Sequence, residues 1–207
     1  MSIAEKFEVI ADAVYDKGVS DGKKSQYDEH WDTYQQDGNR EDYTYAFYGM
    51  YWVDKIYNPK YEIKFTSAQG TNLFRHSRIT DTKKTIRITN VGTTSSTYLF
   101  ANSINLKTIR PIYVEEKQQF TGWFLSCTSL ENITFAEGSV IGQDINFKDC
   151  PLLNKESINS IITHLSDTQG ATLTLKQEAI NREFPGEGEW ETFLAENKPS
   201  VWSIYLV

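Results

Sequence analysis

Two cysteines, Cys127 and Cys150, stand in the stretches FLSC and FKDC. A thiol pair can hold a metal, run a redox couple or close a disulfide, so its surroundings decide what chemistry is open to the chain. A zinc site needs further sulfur or imidazole ligands at short spacing. The histidines, His30, His76 and His164, lie far apart and none has a spaced partner. Other templates also fall short. There is no Gly-x-Ser-x-Gly elbow, phosphate-cradling glycine loop or His-Glu-x-x-His. The acids around His30 in YDEHWD read as a solvated helix face, and DGNRED (37–42) lacks the oxygen spacing of a calcium loop. The acids of GEGEWE (186–191) suit a helix N-terminus, where carboxylates are favoured. No catalytic residue, metal or cofactor is expected.

The cysteines belong instead to a repeat. Segments opening on Phe74, Phe100, Phe124 and Phe147 read FRHS, FANS, FLSC and FKDC. Their steps of 26, 24 and 23 residues fall in the range of leucine-rich repeats. The fourth position is Ser77, Ser103, Cys127 or Cys150, always small; the seventh is Leu106, Leu130 or Leu153 in the last three units. Ile109 and Ile133 then open apolar stretches. A ligand or redox thiol could not be exchanged for serine between equivalent positions and keep its chemistry. A small residue filling a gap between stacked coils could. Packing is therefore the reading for both thiols. A disulfide is the alternative, because neighbouring strands about 4.8 Å apart suit its Cα spacing.

The pattern Phe124-x-x-Cys127-x-x-Leu130-x-x-Ile133-x-Phe135, followed by GSVIG (138–142), resembles the BspA-like class of leucine-rich repeats. The resemblance covers about residues 74–153. It implies an α/β fold: a short right-handed solenoid, with a function in adhesion. At Phe147 the tenth position is Glu156 and the pattern lapses.

Elements on either side must hold this stack. NKESINSIITHL places Ile158, Ile161, Ile162 and Leu165 on one helical face, with Asn154 as N-cap. GATLTLKQ alternates as a strand, LKQEAINREF and WETFLAENK read as helices, and PSVWSIYLV ends the chain with Trp202, Ile204 and Leu206 facing one way. Together they predict a C-terminal α/β cap over 155–207, which an open stack requires. At the other end, Ile3, Phe7, Ile10 and Val14 form an apolar helical stripe, packing either on its own domain or on copies of itself. The expected organisation is an N-terminal helical segment (1–42), an aromatic-rich connector (43–70), leucine-rich repeats (71–154) and the cap.

Residues 27–61 hold 11 of the 28 aromatic side chains. Such rings either build a small core or present a recognition surface. Tyr43, Tyr45, Tyr48, Tyr51 and Trp52, with Trp123 beside the repeat, are the candidate binding residues. The motifs Tyr27-x-x-x-Trp31-Asp32, Gln36-x-Gly38-Asn39-Arg40-x-x-Tyr43, Ala46-Phe47-x-Gly49-x-x-Trp52 and Pro59-Lys60-Tyr61 are similar to leucine-rich-repeat proteins encoded near tail genes in phages and prophages of gut bacteria. That resemblance implies a virion context.

A net charge of −7 offers no basic footprint for nucleic acid. No apolar run reaches the roughly 18–20 residues of a membrane span, and the N-terminus lacks the build of a signal peptide. The expectation is a noncatalytic binding or structural module of a phage virion, made in the bacterial cytoplasm and released by lysis. Its partners would be other virion proteins or copies of itself through the N-terminal segment, and a host-surface glycan or protein. A bacterial cell-surface adhesin and a cryptic glycosidase are the alternatives.

Overall fold

The four phenylalanines that space the repeats stack ring on ring. Phe74 and Phe100 have centroids 5.3 Å apart, Phe100 and Phe124 6.0 Å, and Phe124 and Phe147 4.3 Å, with planes within 18° of parallel. All four are buried, as are Leu106, Leu130 and Leu153. The computed structural model describes residues 63–66, 71–82, 85–89 and 97–207. The N-terminal stripe of Ile3, Phe7, Ile10 and Val14 lies outside them, and so does the aromatic connector apart from 63–66.

A tight turn carries each of the first three rings. The residues two before and two after the ring adopt positive φ: Asn72 and His76, Tyr98 and Asn102, Gly122 and, at 56°, Ser126. Five of these six carry a side chain, and L-residues visit that region seldom. The conformation holds because backbone bonds run from turn to turn. The Phe74 amide donates to the Leu99 carbonyl at 2.8 Å and the Phe100 amide to that of Trp123 at 3.1 Å.

The small fourth position now has a physical explanation. Ser103 Oγ donates to the Phe74 carbonyl at 2.7 Å, Cys127 Sγ to that of Phe100 at 3.2 Å and Cys150 Sγ to that of Phe124 at 3.8 Å. Serine and cysteine interchange because each is small and carries one rotatable donor, sulfur the weaker and longer-reaching of the two. Both cysteines are free thiols, so the disulfide alternative fails.

One strand precedes the first turn and one follows each of the three. β1 (Ile63–Thr66), β2 (Ile86–Thr89), β3 (Thr108–Tyr113) and β4 (Asn132–Phe135) pair parallel in chain order. The β3–β4 register shifts between Ile109 and Ile112. Pro111 sits in that gap, and proline has no amide to give to a ladder. A second parallel sheet holds β5 (Ile145–Phe147), β6 (Thr172–Leu175) and β7 (Ser203–Leu206) in that order. The described residues also form three helices: α1 (Lys155–Thr163), α2 (Gln177–Glu183) and α3 (Glu189–Asn197).

This arrangement corrects the expected fold class. The described residues form a mixed α/β structure with two separate parallel sheets, and not one right-handed leucine-rich-repeat solenoid. Two local causes divide it. First, α1 closes the outer edge of β4 where another strand would have paired. The Ile133 amide donates to Ser157 Oγ and the Phe135 amide to Ser160 Oγ, both at 2.9 Å. Second, Ile145 and Asp149, which flank Phe147, lack the positive φ of the earlier turns. Phe147 lies instead in β5, whose pairing runs onward to β6.

The C-terminal elements follow their sequence signals. Asn154 caps α1, its side chain accepting from the Ser157 amide at 2.9 Å. Ile158, Ile161 and Ile162 are buried on one face, as the 3.6-residue period requires, whereas Leu165, expected on that face, lies past the end of the helix and pairs with Ile141 in an isolated bridge. Glu189, in the GEGEWE loop, accepts from the Gly186 amide and pairs with Lys155 at 2.7 Å. Those two contacts hold its carboxyl below the usual range, Lys155 contributing most. It organises the start of α3.

Candidate functional site

Alternation in the second sheet sorts its side chains by face. Ile145, Phe147, Leu173 and Leu175 are buried, while Asn146 of β5 and Asp144 just before it, Thr172 and Thr174 of β6, and Ser203 and Tyr205 of β7 turn outward. The registers Asn146↔Thr174↔Tyr205 set an amide, a hydroxyl and a phenol in one row across the three strands. Asp144, Thr172 and Ser203 form the neighbouring row.

Beside these rows lies an open groove of ≈ 640 Å³. One wall is the turn 119–122 and the other the loop 169–171, with 142–146, Thr172 and Thr174 between them. Asp144 is the one carboxylate of the lining, which otherwise presents amides from Gln119, Gln143, Asn146 and Gln169 and threonine hydroxyls. Tyr205 stands one strand beyond Thr174, 59% exposed.

Hydrogen bonds made by the lining residues hold the groove in place. Thr172 donates its amide to Asp144 Oδ1 at 2.8 Å, and Asn146 Oδ1 accepts the Lys148 amide at 2.9 Å. The latter contact fixes the Asn146 side chain and leaves its NH₂ to point outward. The loop bearing Gln169 is tied down through Ser166, which donates to Glu116 Oε1 at 2.5 Å and accepts from the Gln169 amide at 3.0 Å. Trp202 Nε1 donates to the Ser166 carbonyl at 2.9 Å. On the opposite wall Gly122 has φ +65°, and a Cβ there would lie 2.5 Å from the ring of Tyr98. Arg75 lies over that ring, 5.1 Å from its centroid.

Comparison with known proteins returns no match. No family model, curated protein or solved structure aligns with this chain.

The sequence-derived site residues fare unevenly. Trp123 is buried completely and packs edge-on against Phe120 at 4.8 Å and against Phe100 and Phe124. It belongs to the core, so its assignment to a binding surface is corrected. Tyr43, Tyr45, Tyr48, Tyr51 and Trp52 lie outside the described residues. Phe74, Phe100, Phe124, Phe147, Cys127 and Cys150 come together as the ring stack and its thiols. Burial pushes the Cys127 thiol up to about 12, and the Cys150 thiol well above its ordinary value. Neither is a thiolate at neutral pH, the form that a nucleophile or metal ligand needs. Among the described residues no group of His, Cys, Asp or Glu could hold a metal ion. No described helix is long and apolar enough to cross a membrane.

Sequence reasoning missed the outward face of the second sheet. Its signal was present. The alternation that sends Trp202, Ile204 and Leu206 one way sends Ser203 and Tyr205 the other.

Proposed function

We propose that the chain is a noncatalytic binding module of a phage or prophage virion, tail-associated, which contacts a host-surface glycan or protein. The observation that carries this reading is the outward face of β5, β6 and β7 with its groove, where polar side chains stand in rows on paired strands. A pre-formed face loses little conformational entropy when a ligand settles on it. A hydrolase of the paired-carboxylate kind needs two acids about 5–10 Å apart, and the groove lining offers only Asp144. The virion context rests on the motifs between Tyr27 and Tyr61.

Two measurements test the proposal. Mass spectrometry of purified particles from the source strain should find this polypeptide in stoichiometric amount. The purified chain should also adhere to host cells and lose adhesion when Asn146, Thr174 and Tyr205 are replaced together by alanine. Adhesion indifferent to the triple substitution removes this face from the function.

A further inference from the structure

We infer that the ligand of this groove is a neutral, hydroxyl-rich saccharide chain, and not a phosphate- or uronate-bearing polymer. The inference rests on the binding-module reading above and adds the chemistry of the ligand.

Charge decides it. Among the described residues no lysine or arginine lines the groove, and Asp144 gives it a single negative group. The chain as a whole carries −7. An anionic polymer would be desolvated there with no cation to receive it, beside a carboxylate that repels it. Lys148 and Lys176, which follow directly on β5 and β6, lie outside the lining, and Lys176 already sits 3.6 Å from Glu178. The polar groups that remain, amides and hydroxyls, can each both donate and accept, as sugar hydroxyls do. Tyr205 adds an exposed ring in the row of Asn146 and Thr174. Such a ring covers the apolar face of a pyranose while its neighbours bond the ring's edge.

Calorimetric titration of the full chain with tetra-N-acetylchitotetraose, maltotetraose and tetragalacturonate tests the idea. At least one neutral tetrasaccharide should bind, with affinity unchanged within about twofold between roughly 0.05 and 0.5 M salt. Tyr205→Ala should weaken that binding about tenfold. Thr174→Val, which keeps the shape of the side chain, should weaken it by a smaller factor. Circular dichroism of each variant guards against loss of fold.

Tighter binding of tetragalacturonate, abolished by salt or by Lys148→Ala, overturns the inference. So does neutral-sugar binding that ignores both Tyr205→Ala and Thr174→Val. If none of the three sugars binds while the chain still adheres to host cells, the saccharide class is wrong and the binding-module reading survives. If adhesion is absent as well, both go.

Discussion

The ring-stacked turns and the second sheet solve different problems with the same parallel pairing. In the turns 72–76, 98–102 and 122–126, side-chain-bearing residues are held at positive φ, and the anchoring rings are wholly buried. Side chains of these turns and of the adjoining strands pair with one another: Arg75 covers Tyr98, Arg87 covers Tyr113 at 4.2 Å, and Arg110 grips Asp81 through two bonds of 3.0 and 2.6 Å. The sheet of β5, β6 and β7 has regular alternation, no positive φ in its strands, and an outward row of polar groups not committed to such pairs. One region spends its side chains on holding itself together, and the other presents them.

The contrast is most exposed to Phe124→Ala. That ring lies between Phe100 and Phe147, so its removal opens a cavity in the middle of the stack. A loss of about 3–5 kcal/mol in urea unfolding is expected. A loss below roughly 1 kcal/mol would mean that the stack does not carry the fold.

Next comes Ser157→Val, which removes the acceptor of the Ile133 amide and the closure of β4. Leaving that buried donor unmatched should cost about 1–3 kcal/mol. Hydrogen exchange at the Ile133 amide should rise with it.

The thiols give a pH signature. Burial raises both in the folded chain, Cys127 to about 12, whereas an unfolded thiol ionises near 8.5. Above that value the unfolded state binds fewer protons than the folded one, so stability falls as pH rises from about 9 toward 12. The slope approaches roughly 1.4 kcal/mol per pH unit for each thiol. Replacing both by serine should flatten this alkaline decline in thermal melts, because a hydroxyl does not titrate there.

Asn154→Ala, which removes the cap of α1, should cost about 1 kcal/mol. Smallest of all, Tyr205→Ala should stay within about 0.5 kcal/mol of the parent chain, as exposed substitutions do. A loss of 2 kcal/mol or more there would erase the distinction between holding and presenting.

The sequence was most legible where one period ruled. The isoleucine spacing and Asn154 placed α1 with its cap and its buried face, and the alternation of Leu173 and Leu175 placed β6. The phenylalanine ladder placed the ring stack, because one ring per turn leaves a mark at fixed spacing. The division into two sheets left no such mark. It depends on Ser157 and Ser160 standing in for a strand edge, and a helical serine gives no sign from sequence of which backbone group it will bond. Trp123 was misplaced for a related reason. In a turn with positive φ on either side of it, neither the 2-residue nor the 3.6-residue period says which way a side chain faces. Nothing in the identities of Tyr98 or His76 announces that conformation. Tyr205 was readable from the alternation of the last strand, which sends it away from Trp202, Ile204 and Leu206.

Sealed sulfur has one more use. An alkylating reagent cannot reach Cys127 or Cys150 while the rings above and below them stay closed. The rate at which the native chain takes up such a label therefore reports how often the stack breathes. The two buried sulfur atoms become a built-in clock for the ring stack.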